Sequence, residues 1–237
     1  MGQPTSTFQF LGLTFNLANI ISVLVACLIV FLLVFGLSRH ISMRPGKGQN
    51  VLEAIVDFTN GIVKSSIPGE ASKSLGLWAF SLFLFILISN LLGLFLHVDI
   101  SGVTYVKSPT ADPVVTLTLS LLTLTGAQFL GIESLGYKGH FTNYLKPFKP
   151  FIIVNIFEEF TNFLTLGLRL FGNIFSGEML LSMITSMAVK GGPLMWVVMF
   201  PVEMAWQAFS VFLGCIQAYV FVTLASVYIS RKIELEE

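Results

Sequence analysis

Apolar residues along this chain fall into runs long enough to cross roughly 30 Å of hydrocarbon, for which about 20 helical residues are needed. Three such runs occupy 17–37, 77–96 and 114–132, and two much longer ones follow over 151–189 and 193–230. At 1.5 Å per residue a continuous helix over 151–189 would be roughly 58 Å long, about twice the hydrocarbon thickness. The last two runs are therefore expected to form a strongly tilted hairpin that turns at Lys190-Gly191-Gly192-Pro193. Between the first two runs, Val51, Leu52, Ile55, Val56, Phe58, Ile62 and Val63 recur at helical spacing among Asn50, Glu53, Asp57, Asn60 and Lys64. That pattern predicts an amphipathic helix over 50–64, too polar to span and suited to the cytoplasmic membrane surface. The chain thus reads as a single membrane domain over 1–237, an all-α polytopic protein with about five transmembrane helices.

Composition agrees with a lipid solvent. The 237 residues are 54% hydrophobic and 11% charged, with a mean hydropathy of +0.84, well outside the range of soluble domains. Thirteen basic residues balance thirteen acidic ones, so charge implies no nucleic-acid partner. Cys27 and Cys215 lie inside apolar runs and are expected to pack as small hydrophobes. No nucleotide-binding motif occurs, and neither cofactor nor metal is expected.

The distribution of positive charge orients the spans. Met1 to Asn16 holds no Lys or Arg, so the first run is expected to be retained rather than cleaved as a signal peptide. Arg39, Arg44, Lys47, Lys64 and Lys73 follow it; Lys138, Lys146 and Lys149 follow the third run; Arg231 and Lys232 close the chain. The intervening connections carry only Lys107 and Lys190. By the positive-inside rule the N-terminus lies outside and the C-terminus in the cytoplasm of a cell-membrane protein.

One basic residue remains, and it sits within an apolar run. Arg169 cannot lose its charge by deprotonation, and a cation at the bilayer centre costs about 2.5–3.5 kcal/mol even on insertion scales. At 100° per residue Glu158 lies within about 20° of it, Glu159 about 80°, Asn173 about 40°, and Glu178 on the opposite face. Glu158 and Glu178 are nevertheless roughly 16 and 14 Å away along the axis, too far for an ion pair. The counter-charge is therefore expected from a different subunit, approaching the face on which Asn162, Asn173 and Leu166 rank nearest the arginine. In an antiparallel hairpin Gln217 comes within about 6 Å of the depth of Arg169, where it could orient the guanidinium.

The block Leu166-Gly-Leu-Arg-Leu-Phe-Gly-Asn-Ile-Phe-Ser-Gly-Glu178, with Trp206-Gln-Ala-Phe209 and Gln217-Ala-Tyr-Val-Phe221 downstream, resembles subunit a of the F-type ATP synthases. Phe10-Leu-Gly-Leu-Thr-Phe-Asn16, Ser89-Asn-Leu-Leu-Gly-Leu94 and Lys107-Ser-Pro-Thr-Ala-Asp-Pro113 extend the resemblance through nearly the whole chain. It implies a non-catalytic, ion-translocating stator, the proton being the first expectation for the ion. Its implied partners are a ring of c subunits, a b-subunit peripheral stalk, other synthase subunits and lipid. Arg169 would separate two offset half-channels that reach the c-ring carboxylate. Asn173 and Gln217 would be its polar neighbours, Glu178 would belong to the outer relay, and Glu158 or Glu159 to the cytoplasmic path. Some relatives carry a His at the position of Ser210, paired with a residue at that of Gly177; neither titrates here, which would leave Glu178 as the main ionisable group of the outer channel, alongside waters held by Ser176 and Ser210.

Other polar residues have simpler expected roles. Asp112 suits an N-cap before Pro113, and Asn90 suits a bond between helices. Glu203 is expected either to be solvated from outside or to line the channel of Glu178. His97 and His140, near span ends, are expected to be solvated. The alternative function is a secondary transporter that binds an anionic solute at Arg169; a redox subunit fails because His40, His97 and His140 cannot form a haem pair across the bilayer.

Overall fold

A computed structural model describes residues 7–10, 13–39, 42, 46–67, 71–95, 98–100, 103–106, 108–143, 150 and 152–233. His40, Arg44, His97, Lys107, Lys146 and Lys149 lie outside them. Helices dominate: α1 (Leu17–Ser38), α2 (Lys47–Ser66), α3 (Ala71–Phe95), α4 (Pro113–Asn143), α5 (Ile152–Lys190) and α6 (Gly192–Ile233). The all-α polytopic expectation holds. Stretches of α1, α3, α4 and α6 are long and apolar enough to cross a membrane. In α5 the apolar positions are diluted by Glu158, Glu159, Asn162, Arg169, Asn173 and Glu178.

The boundaries differ in instructive ways. Helix α3 begins at Ala71, six residues before its apolar run, because the polar segment Ser72–Gly76 continues the helix without contributing hydropathy. Helix α4 runs on to Asn143, where the apolar pattern ends near 132. Inside it Gly136 adopts φ 70°, a left-handed conformation that glycine takes without steric cost, and the helix kinks there. The α5–α6 turn falls at the expected glycines: Gly191 N–H donates to the Met187 carbonyl at 3.0 Å, and Gly192 has φ 78°.

Two short antiparallel ribbons were not anticipated. Strand β1 (Thr7–Phe10) pairs with β2 (Leu13–Asn16), and β3 (Val98–Ile100) with β4 (Val103–Val106). Thr7-Phe-Gln-Phe10 does alternate polar and apolar residues with the period of a strand, but four residues leave a faint signal beside runs of twenty.

The chain divides into two compact units, 1–33, 84–115 and 170–218 in one, 34–83, 116–169 and 219–237 in the other. In the first unit a buried polar cluster ties α3 to α6. Asn90, fully buried, donates from Nδ2 to the Gly214 carbonyl at 3.0 Å and accepts from Thr110 Oγ1 at 2.8 Å. Ser108 Oγ lies 2.9 Å from Thr110 Oγ1 and donates to the Ser89 carbonyl at 3.1 Å. The expected inter-helix role of Asn90 is therefore met. So is the cap: Asp112 Oδ1 accepts from Val114 N–H at 2.8 Å, while its Oδ2 accepts from Asn19 Nδ2 at 2.6 Å.

In the second unit, Phe58 of α2 meets Phe83 edge-on at 5.6 Å and Tyr219 of α6 at 5.8 Å. Helices α4 and α5 approach closely. Ser120 Oγ donates to the Phe163 carbonyl at 2.8 Å, and a Cβ at Gly167 would lie only 3.2 Å from Leu117 Cα. Small residues at such contacts are how helices associate in lipid, where burial of apolar surface drives nothing. His140 departs from expectation: it is buried, with Nε2 2.8 Å from Gln128 Oε1, because the kink at Gly136 turns its short helical segment back along α4. Cys27 and Cys215 also differ, lying exposed on spanning helices.

The Asn90 cluster makes a direct prediction. Asn90→Ala removes the buried bonds to the Gly214 carbonyl and the Thr110 hydroxyl and costs about 1–3 kcal/mol, so the thermal midpoint of the purified protein in detergent should fall; an unchanged midpoint would exclude a structural role for the cluster.

Candidate ion-translocation site

Helix α5 presents two different faces, and its sequence explains why. Leu166, Gly167, Leu170 and Ile174 recur at three- and four-residue steps and are buried, with Gly167 and the Phe163 carbonyl against α4 as described. Opposite them Glu158, Thr161, Thr165, Leu168, Arg169, Gly172, Phe175 and Ser176 are exposed. Arg169 therefore projects from the protein surface, and among the described residues it has neither an ion pair nor a hydrogen-bond partner. The exposed arc is centred nearer Thr165 and Gly172 than expected. Asn162 and Asn173 are only half-exposed, and Leu166 is 1% exposed, so Leu166 belongs to the packed side; a helical wheel ranks angles from the arginine and cannot say which flank a neighbouring helix covers.

The acidic residues are placed in two separate settings. Glu158 Oε1 accepts from Arg231 Nη1 at 2.8 Å, and Glu159 pairs with Lys232. Both carboxylates thus bind the end of α6, where half-exposure of the first pair limits its strength to about 0–1 kcal/mol. These two partners were missed at the sequence level, since Arg231 and Lys232 served there only as topology signals.

Glu178 lies in the other setting. It lines a small cavity of about 30 Å³ with Gly93, Asn173, Ser176, Gly177 and Ser210. Its Oε1 is buried, and a Cβ at Gly93 would come within 3.2 Å of it and overlap Ser108. Glycine at 93 therefore lets α3, the Ser108 segment and the Glu178 carboxylate meet. Two further bonds frame the cavity: Trp206 Nε1 donates to the Gly177 carbonyl at 3.2 Å, and Gln207 Nε2 to the Leu94 carbonyl at 3.1 Å. Gly93 and Gln207 had no individual signal in the sequence beyond their place in quoted blocks.

The remaining candidates are accounted for. Gln217 is 7% exposed, and its Nε2 has no hydrogen-bond partner among the described residues. Glu203 accepts from Thr185 Oγ1 at 3.4 Å and is absent from the described lining of the Glu178 cavity. Ser176 donates to the Asn173 carbonyl at 3.1 Å within its own helix.

Comparison with known proteins follows the same blocks. Residues 20–230 match the family model for the ATP synthase A chain. The chain is 56% identical to ATP synthase subunit a of Pediococcus pentosaceus, covering 99% of each chain. It is 45% identical to ATP synthase subunit a of Enterococcus hirae, covering all of each, and 42% identical to that of Staphylococcus carnosus, covering 97% of this chain and 96% of the relative.

Proposed function

Because this chain belongs to the ATP synthase subunit a family, we propose that it is the ion-translocating stator of an F-type synthase, with Arg169 separating two offset half-channels to a c-ring carboxylate. The secondary-transporter alternative is set aside by that membership. One observation supports the reading above others: a permanent cation projects from α5 with neither an ion pair nor a hydrogen bond to its own chain among the described residues. Leaving such a charge unpaired in lipid is costly, so an acidic helix from another subunit is the natural complement.

On this reading the carboxylate of each passing c subunit meets Arg169 between the two access paths, and the fixed positive charge repels a proton from crossing directly. The guanidinium favours the ionised carboxylate, so the ring carboxylate releases its proton on the cytoplasmic side of Arg169 and regains one on the outer side. Glu178 hands protons inward from outside. Asn173 and Gln217 hold the arginine's polar surroundings, and Glu158 and Glu159, tethered to Arg231 and Lys232, border the cytoplasmic path. Five crossings place the N-terminus outside and the C-terminus in the cytoplasm, and a b-subunit stalk fixes the chain against rotation. The chain itself hydrolyses no nucleotide.

Arg169→Lys tests the central role. Lysine is a compact point charge that deprotonates when desolvated, so this variant, like Arg169→Ala, should abolish ATP-driven proton pumping in reconstituted complex; normal pumping by Arg169→Lys would refute the gate. Cysteines at Thr165 and Gly172 should crosslink to a cysteine beside the c-subunit carboxylate, while one at the packed Leu166 should not; the reverse pattern would turn α5 around. For topology, a cysteine at Lys138 should react with an impermeant thiol reagent only from the cytoplasmic side and one at Lys190 only from outside, and labelling of both from one side would overturn the five crossings.

A further inference from the structure

Beyond the kink at Gly136, past the end of the apolar run at 132, the closing segment of α4 buries a titratable side chain where a solvated one was expected. His140 is 4% exposed. Its Nε2 lies 2.8 Å from Gln128 Oε1, and a Cβ at Gly131 would stand 2.9 Å from both His140 Nδ1 and the Lys232 carbonyl oxygen. Glycine at 131 thus lets the imidazole, the body of α4 and the end of α6 meet, all within the second unit. The side chain of the same Lys232 pairs with Glu159 of α5, so three helices close on one histidine. Among the described residues the charges around the ring are mixed. Lys232 and Glu159 act on it from α6 and α5, the adjacent Arg231 and Glu158 pair with each other, and Glu133 and Lys138 of its own helix are exposed. Burial and the Lys232 ammonium oppose an imidazolium more strongly than Glu159 favours one, which holds the His140 pKa below the ordinary imidazole value.

We propose that His140 is a positioning residue for Glu159: its neutral ring, seated between Gln128, Gly131 and the Lys232 backbone, holds the end of α6 so that Lys232 stays on Glu159, and protonation of the ring from the cytoplasm opens that junction. The inference rests on the reading that Glu159 borders the cytoplasmic path, and it adds a control on that path. With Nε2–H donating to Gln128, an incoming proton goes to Nδ1, on the side that faces Gly131. The charge then arises in a buried site beside a second cation, and the end of α6 relieves it by moving away. Lys232 leaves with it, and Glu159 loses the ammonium that fixed its place. Because the folded-state pKa is the lowered one, the closed junction has its full stability above about pH 6.5 and loses it as pH falls through the His140 value. Ion flux should therefore fall when the cytoplasm turns acid.

The test compares wild type with His140→Gln, whose amide keeps a bond to Gln128 but takes no proton. Both are made in the whole synthase, reconstituted with the cytoplasmic face outward, and ATP-driven proton pumping is normalised to assembled complex. The ratio of the two at each external pH cancels the pH dependence of the rest of the complex. It should stay near one at about pH 7.5 and fall several-fold by about pH 5.5, across the range in which imidazoles titrate. A ratio that does not change with pH, the result for a histidine that only fills space, would overturn the proposal. Hydrogen exchange over 226–233, at the end of α6, then shows which level failed. Faster exchange in wild type than in His140→Gln at acid pH, with an unchanging flux ratio, rejects the path reading of Glu159; equal exchange rejects the junction. Lys232→Gln breaks the ion pair outright and should pump slowly already at about pH 7.5, and a wild-type rate there would overturn the link to Glu159 even if His140→Gln assembled poorly.

Discussion

The charge on Arg169 constrains everything around it. A guanidinium cannot be neutralised as lysine or histidine can, so a helix that carries one into lipid must present it where an anion will arrive. Helix α5 does so by dividing its circumference: Leu166, Leu170 and Ile174 are buried, Gly167 allows α4 to approach, and the arginine is left on the exposed arc. Had Arg169 faced α4, its counter-charge would have had to come from this chain. The proposed stator role follows from that exposure together with family membership.

Keeping the carboxylates away from the arginine is the second half of the same arrangement. An acid one turn from Arg169 would hold it in a permanent internal pair and remove its attraction for any other carboxylate. Here the nearest acids of α5 stand two to three turns off in either direction. Each is occupied locally, Glu158 and Glu159 by the basic end of α6 and Glu178 by its cavity.

Much of this was legible from residue order because lipid imposes strong rules. An apolar run of about twenty residues announces a helix, and two adjacent glycines before a proline announce the α5–α6 turn. The capping role of Asp112 and the inter-helix bond of Asn90 were readable because each polar type had one inexpensive use at its position. What was illegible depended on lateral packing. Helical angles could not reveal that Leu166 is covered while Thr165 is open, nor that the kink at Gly136 buries His140 against Gln128. The two ribbons lie in short stretches where a period of two has little length in which to register.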